Sequence, residues 1–527
     1  MEHRYPRSST NLQLEGYEPD FKPVYHKTSP FYTSCKQVVA HAVQAHIYDV
    51  RDQRDILYGY KRSIPDPFEA TQFFMRYDTE PHDVIKDHHY YKALDIISHK
   101  FRPAQPIRPV HFTDLRWYPW NLTANAERPF SVSKMLRDHL RQARELGYIS
   151  DERPSFHNLF NDVFVRSRDD IHKIKDGKCF TGKDKADRLY KITVHQKPAL
   201  TAFSDPPKVR CVFGVPRNHI FSEAMFMWPL FNHYHKYGTS PMLWGYETLN
   251  GGWYKLNDEF HSQYPQVKTI LSTDWSEFDM RTYFTVIRDI RDIWKSYFNF
   301  EGGYIPTRTY PDSKADPDRL LNLWNWSGYA LERLKSVTPT GEIFSRQFGG
   351  IPSGNFTVQY LDSFYNGIMI LSILSAIGQP ITYEMFLKLM GDDGLTGLIQ
   401  EIRPEQRVAF LEAFATEAKR RYNAVLSVKK STMTSSIQGT QVLSYINDNG
   451  YPWRARNPLL AQLYHPKSYN DDYGKVKARA IGIYYASAGN YPEVRRLCED
   501  IYNFIDRLGI RANPSGLKQL WDPNSYL

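Results

Sequence analysis

The stretch FLKLMGDDGLTGLI, residues 386–399, sets Asp392 and Asp393 between two apolar runs. Short hydrophobic runs separated by Gly-Asp-Asp-Gly close into a hairpin, because Gly and Asp accept turn conformations while the flanking runs bury. As a turn alone the stretch needs nothing more. As a chemical site it puts adjacent carboxylates at the tip of a buried strand pair. Such a pair calls for a cation and for further ligands elsewhere in the chain.

Other acids answer that requirement. VKTILSTDW (267–275) reads as a strand ending in Asp274, and Asp279 follows five residues on. Read alone, Asp274 is equally a helix cap after a strand. If its strand lies beside the hairpin, Asp274 faces Asp392. The cluster then repels itself unless it holds a divalent cation, and paired ions of this kind clamp the attacking and leaving oxygens of a phosphoryl displacement. Between the acidic stretches lies GGIPSGNFTVQYLDSFYNG (349–367). Ser353-Gly354 opens an apolar helix expected from about Thr357 to Ala376 and stopped by Gly378 and Pro380. A glycine there suits a loop that closes on a ligand; ordinary capping by Ser353 or Asn355 is the plainer reading. Upstream, FSDPPKVRCVFGVPRNHIF (203–221) is basic. On a strand Lys208 and Arg210 share one face, which suits a triphosphate or simply solvent, and Arg217 follows.

The rest of the chain sets bounds. Its 527 residues exceed what one small core supports, so several subdomains are expected. Hydrophobic content is 41% and charged content 24%, ordinary for a soluble globular protein. No apolar run reaches the length of a membrane span, and the polar N-terminus has no signal-peptide core. Cys35, Cys179, Cys211 and Cys498 are scattered without metal-site or disulfide spacing, which fits a reducing, intracellular setting. The net charge of +9 favours a polyanionic partner, nucleic acid before membrane. Residues 1–110 show few periodic elements. SKMLRDHLRQARELGYI (133–149) predicts an amphipathic helix with Met135, Leu136, Leu140, Ala143 and Leu146 on one side. Tyr283, Val286, Ile287, Ile290, Trp294 and Tyr297 form another helical stripe, and the chain from about 460 onward reads as mostly helical.

In order, the KVR patch, D-x4-D, SG-x2-T and GDD resemble motifs F, A, B and C of the right-hand palm of viral RNA-directed RNA polymerases. AVLSVKKSTMTSS (424–436) looks like motif D, with Lys430 the better match and Lys429 the alternative. VLSYINDNGYPWR (442–454) looks like motif E. RWYPWNLTANAERPFS (116–131), SGNFTVQYLDS and the length are similar to polymerases of bisegmented double-stranded RNA viruses, partitiviruses above all, with picobirnaviruses as near relatives. The resemblance covers roughly residues 110–460.

It implies an α+β closed right hand of fingers, palm and thumb, with an antiparallel palm sheet and a helical thumb. Residues 1–110 would bridge fingers to thumb, 111–265 form the fingers, 266–445 the palm with a fingers insertion around 300–340, and 446–527 the thumb and C-terminal region. Asp274 and Asp392 would be the main metal ligands, with Asp393 assisting and Mg²⁺, or alternatively Mn²⁺, as the ion. Lys430 would act as general acid on the pyrophosphate. Lys208, Arg210 and Arg217 would hold the nucleotide triphosphate, and Ser353, Gly354 and Thr357 would form the motif B loop. Asp279 would sense the ribose 2′-hydroxyl. Many related polymerases pair that acid with an Asn early in the motif B helix; here the position points to Asp362, with Asn366 further along. The implied partners are template and product RNA, NTPs and a viral coat protein, with no membrane, in the virion interior and host cytoplasm.

Two other readings compete. A reverse transcriptase usually carries an aromatic gate where this chain has Asp279, and Y-x-D-D where it has GDD. A non-catalytic basic RNA-binding or packaging protein accounts for the charge but not for acids placed in this order.

Overall fold

The structure, a computed structural model, describes residues 10–19, 21–178 and 188–514. The acidic hairpin forms as expected. Leu387–Met390 and Asp393–Leu398 pair antiparallel, from Leu387 opposite Thr396 to Met390 opposite Asp393. Gly391 turns the chain with φ +64°, a conformation side chains rarely adopt. Thr269–Thr273 pairs with Asp393–Leu398, and Thr432–Thr434 pairs with its other edge, giving a four-stranded antiparallel sheet. Every residue of Thr269–Thr273 is buried, as its unbroken apolar and Thr/Ser composition allows.

Behind the sheet runs the long apolar helix, Val358–Ala376, buried continuously from Tyr360 to Leu374. A helix apolar on all sides belongs in a core. Strands Leu387–Met390 and Asp393–Leu398 and helices His88–Lys100, Phe284–Tyr297 and Arg407–Tyr422 pack around it. It stops where Gly378 takes φ +83°. The stripe of Phe284–Tyr297 is buried as expected, from Tyr283 through Tyr297. The helix expected over 133–149 runs Lys134–Glu145 and departs from its predicted packing. Leu140 is buried, but Met135 is 74% and Leu146 60% exposed, so most of the apolar side is surface. Cys35, Cys211 and Cys498 are buried free thiols, and Cys179 lies outside the described residues.

The first hundred residues hold more structure than their polarity suggests. Leu12–Tyr17 is the edge strand of a five-stranded sheet, pairing with Glu342–Arg346; Ser336–Val337, Ile192–Pro198 and Val209–Gly214 complete it. Helices Tyr32–His46 and Val50–Tyr58 share a core with Arg456–Tyr464, Tyr473–Ala486 and Pro492–Arg507. The N-terminal region therefore touches both the second sheet and the C-terminal helices. Helix Tyr32–His46 does this through Cys35, Val39, Ala42 and Val43, a narrow stripe of small residues that its polar neighbours mask in the sequence.

Asn11 fastens the N-terminal strand. Its fully buried Oδ1 accepts from the backbone N–H groups of Gln347, Phe348 and Gly349 at 3.2, 3.1 and 3.2 Å. Its Nδ2 donates to the carbonyls of Tyr77 and Gly349 at 2.8 and 3.0 Å. Asn11→Ala removes these bonds, and only the Gln347 N–H keeps a partner in the residue 11 carbonyl at 2.8 Å; it is expected to cost about 2–4 kcal/mol of stability. Urea unfolding of the two proteins checks it; an unchanged midpoint means that water replaces the side chain.

Candidate active site

Asp274 is no helix cap. It joins strand Thr269–Thr273 directly to the short strand Trp275–Ser276. The paired register ends with Gly394 opposite Thr273, one residue short of both Asp393 and Asp274, and the Asp274 charge acts on Asp392 and Asp393 alike. Asp392 sits beside them in the turn. Burial lifts the Asp392 carboxyl above its usual range; Arg210 and Lys208 oppose the rise and Asp274 adds to it. Asp393 is pushed up to about 6, by burial first and by Asp392 second. The Leu443 N–H, 3.2 Å from Asp393 Oδ2, works the other way.

Three oxygen-donor side chains, with Asp392 and Asp393 raised by burial and by their acidic neighbours, fit a hard divalent cation, which relieves that repulsion. Their side chains remain splayed. Among the described residues, the acids and histidines that approach as a set of three within 4.8 Å are Asp87, His88 and His89. That set is a capped helix start: Asp87 accepts from Arg421 and from the His89 and Tyr90 N–H groups.

Asp279 stands on the short 3₁₀ turn Phe278–Arg281, close to the motif B helix. Its carboxyl lies against that of Asp362, the residue the position singled out, and one Asp362 oxygen is buried without a hydrogen-bond partner. Two buried carboxyls so placed favour one proton shared between them. Burial raises both, Asp279 to about 6, and the neighbouring Asp392 pushes each further. Carboxyls raised in the folded state contribute stability below the unfolded carboxyl range, and that stability is lost as pH rises through the folded values. The window for Asp279 runs from about pH 4 to about pH 6. Asp362→Asn keeps a donor toward Asp279 and removes one titrating group. It is expected to shrink the drop in thermal midpoint between pH 4.5 and 7.5 relative to the parent. Asp393 titrates in the same window, so part of the drop remains; an identical drop in the variant rules out the shared proton.

Cations ring the acids. Lys208 and Arg210 flank buried Val209 and lie on the open face of strand Val209–Gly214. Desolvation in the cleft, Arg210 and Lys430 hold the Lys208 ammonium below its usual value, while Asp274 and Asp392 pull it up. Lys430 rides a turn bolted to Asp274: the Ser427 N–H donates to the Asp274 carbonyl at 2.8 Å, and the Asp274 N–H donates to Ser431 Oγ at 3.0 Å. Lys429 is exposed on the same turn. Arg217 is held differently. Buried and held down to about 10, it donates to the Asn125 carbonyl at 2.8 Å, packs over the Phe156 ring and lines a cavity together with Ser353 and Gly354. As the first residue of helix Arg217–Tyr234 it lies beyond the strand whose alternation fixes the Lys208/Arg210 face.

The motif B loop is pressed against the strand that carries Arg210. A Cβ on Gly354 would lie 1.8 Å from the Phe213 carbonyl oxygen, so only glycine fits. Ser353 Oγ donates weakly to the Cys211 carbonyl at 3.5 Å. Thr357 Oγ1 turns inward and donates to Glu223 Oε1 at 2.9 Å, while the Phe356 N–H donates to Glu223 Oε2 at 2.9 Å. The capping expected of Ser353 or Asn355 does not occur, since Thr357 occupies the N-cap. A cavity of about 310 Å³ adjoins the loop, bounded by Tyr118, Trp120, Trp244 and residues 353–356.

The sequence reading missed three positioning side chains. Glu223 is a buried carboxylate, pushed up to about 7 by burial, that clamps the start of the motif B helix. Ser363 Oγ accepts the Gly391 N–H at 2.8 Å. Asn366 donates to the carbonyls of Gly391 and Asp392 at 3.0 and 2.9 Å and accepts from Trp275 Nε1 at 2.9 Å. These two brace the acidic turn, so Asn366 does not partner Asp279. Their signal was present: polar residues within an otherwise apolar, fully buried helix need partners.

Residues 197–501 match the viral RNA-dependent RNA polymerase family. The RNA-directed RNA polymerase of White clover cryptic virus 1 is 34% identical over 498 residues, covering 87% of this chain and 80% of the relative. That of Atkinsonella hypoxylon virus is 25% identical over 455 residues, covering 78% and 66%. In three dimensions the chain is similar to the Sicinivirus 3Dpol RNA-dependent RNA polymerase, with TM-score 0.61, 14% identity and coverage of 99% and 100%. It is similar also to the RNA-dependent RNA polymerase of a human picobirnavirus, with TM-score 0.60, 13% identity and coverage of 95% and 87%. An α+β right-hand fold, a family match over more than half of the chain and a 34% identical partitivirus-like relative agree, and the chain belongs to the viral RNA-dependent RNA polymerases.

Proposed function

We propose that this polymerase replicates and transcribes a viral double-stranded RNA genome by two-metal nucleotidyl transfer. The observation that carries the reading is the convergence of Asp274, Asp392 and Asp393 on one sheet edge, opposite Lys208, Arg210 and Lys430. Asp274 and Asp392, assisted by Asp393, would hold Mg²⁺ or Mn²⁺. When bound, such ions lower the pKa of an attacking hydroxyl and neutralise a departing pyrophosphate. Lys208 and Arg210 bind the triphosphate, Arg through paired N–H donors. Lys430 gives a proton to the pyrophosphate oxygen as the bond to the α-phosphate breaks. Asp279, held by Asp362, accepts a hydrogen bond from the ribose 2′-hydroxyl, which a deoxynucleotide cannot donate. That role favours an RNA product over the DNA product of a reverse transcriptase.

The four-stranded sheet and its backing helices would be the palm, within residues 266–445. Residues 111–265 with the 300–340 insertion would form the fingers, 446–527 the thumb, and 1–110 the bridge between them. The resemblance to partitivirus polymerases supports work inside a particle, in the host cytoplasm, beside a coat protein. Incorporation of labelled NTPs on single-stranded and double-stranded RNA templates, with Mg²⁺ or Mn²⁺, tests the reading. Template-length product from both, with full-length single strands released from the duplex, is expected. Product from single strands alone would limit the protein to replication; DNA product at a comparable rate would sink the ribose assignment.

A further inference from the structure

Helices Phe160–Lys175 and Pro317–Arg333 flank a cavity of about 280 Å³ lined by Lys175, His172, Arg319, Lys314, His111 and Tyr304 among others. None of the residues assigned above lines it. Lys175 is 3% exposed, and its Nζ donates to Tyr304 Oη at 2.7 Å. Among the described residues no carboxylate lies within ion-pair distance of it. A buried ammonium without a carboxylate is costly, because its hydration is lost and not replaced by an opposite charge. Arg319 pairs with Asp176 at 2.8 Å through one Nη, yet its buried Nε has no hydrogen-bond partner. The cavity is therefore lined by one basic group without a carboxylate partner and by an arginine whose buried Nε donor is unused.

The neighbours reinforce the positive field. Arg168, His172 and Lys175 recur at i, i+4 and i+7 and so share a helix face that leads to the cavity. Lys175, His111 and His172 are pushed toward their neutral forms. Burial, then Arg319, bring Lys175 down to about 7. Burial, then Lys175, His172 and Arg168, bring His111 down to about 4. His172 is lowered by burial and by Lys175. The acids are already engaged: Asp176 on Arg319, and Asp316, exposed at the rim, in accepting the Asp318 N–H at 2.9 Å.

We propose that this cavity binds a phosphate group, with Lys175 and Arg319 as its principal donors. An Arg fork and a Lys point charge are the usual pair for phosphate oxygens. The same chemistry serves a phosphodiester of RNA or a free phosphate or nucleotide. The basic helix face approaching the cavity suits a strand whose charges repeat.

The full chain is compared with Lys175→Met and Arg319→Gln. One arm measures thermal midpoints in sodium phosphate against sodium chloride at matched ionic strength. The other measures affinity for a short single-stranded RNA over a salt series. Phosphate is expected to raise the parent's midpoint and to raise that of Lys175→Met less. Phosphate bound at the polymerase site acts equally on all three proteins and cancels. Without phosphate, Lys175→Met should be at least as stable as the parent, because it removes an unpaired buried charge. If RNA is the source, the slope of log affinity against log salt falls by about one in both variants. If the slope holds but the phosphate stabilisation is lost, the source is a free phosphate or nucleotide. If neither changes, the proposal is overturned and Lys175 is a structural cation packed on Tyr304. Should Lys175→Met fail to fold, Arg319→Gln, on a half-exposed side chain, carries the same comparison.

Discussion

Asp392→Ala and Asp274→Asn each reduce nucleotide incorporation by about a thousandfold or more, while the protein stays folded and binds RNA. The size follows from the role. Charge stabilisation by bound metal contributes several kcal/mol to a phosphoryl transfer, and each 1.36 kcal/mol is about tenfold in rate. Retention of the fold follows from the local structure. The Asp392 carboxylate accepts no hydrogen bond from another residue that the fold needs; its turn is braced instead by Asn366 and Ser363 acting on backbone groups. Its burial and its like-charged neighbours already raise its pKa, so removing the carboxylate relieves strain. The Asp274 backbone, not its side chain, is bolted to Ser427 and Ser431. Both variants should melt at or above the parent's midpoint. Asp393→Asn should lose less activity, although it weakens the tie to the Leu443 N–H. Single-turnover incorporation beside RNA binding and thermal melting checks all three. Parent-like incorporation by Asp392→Ala would reduce the acidic hairpin to a turn.

Much of this centre could be read from the sequence because its elements are local. The hairpin rests on turn chemistry and two apolar runs, and the buried helix on an unbroken apolar stretch, so both appear where expected. The Asp279–Asp362 contact was legible from position, since Asp362 lies five residues past Thr357, in the opening turns of the helix that follows the Ser353-Gly354 loop. The register was not. The pairing of Gly394 with Thr273 joins strands more than a hundred positions apart, and no local signal fixes it to within one residue. Arg217 follows the basic strand in sequence, but it begins a helix and donates to the Asn125 carbonyl, a contact that no local pattern announces. The N-terminal region was hidden for a different reason. Its helices bury narrow stripes against a partner at the opposite end of the chain, and stripes of that kind carry little periodic signal. Glu223 was invisible because its meaning lies in a contact 134 positions away.

Gly354→Ala is expected to cut kcat/KM for NTPs by about a hundredfold without unfolding the protein. The added methyl has nowhere to go. Its nearest neighbours would be the Phe213 carbonyl oxygen at 1.8 Å, the carbonyl carbon at 2.9 Å and Val215 Cγ2 at 3.2 Å. Phe213 is held in the five-stranded sheet opposite Val194, so the strand cannot retreat cheaply. The motif B loop must lift instead, by more than an ångström. It is pinned on both sides, at residues 347–349 by Asn11 and at 356–357 by Glu223, so the displacement concentrates between the pins. That segment faces Arg210 and precedes the helix that presents Asp362. Misplacing positioning groups by about 1 Å costs about a hundredfold in rate. The buried core stays intact, so the thermal midpoint should fall only modestly. Gly482→Ala is the control: this glycine sits inside helix Tyr473–Ala486 with open space where a Cβ would stand, and the rate should not change. A parent-like rate in Gly354→Ala would mean that the loop leaves Phe213 without penalty, and that its packing there does not set the nucleotide's position. Loss of RNA binding together with the rate would mean that the lifted loop blocks the adjoining cavity, and the cavity rather than Arg210 would then be what the glycine protects.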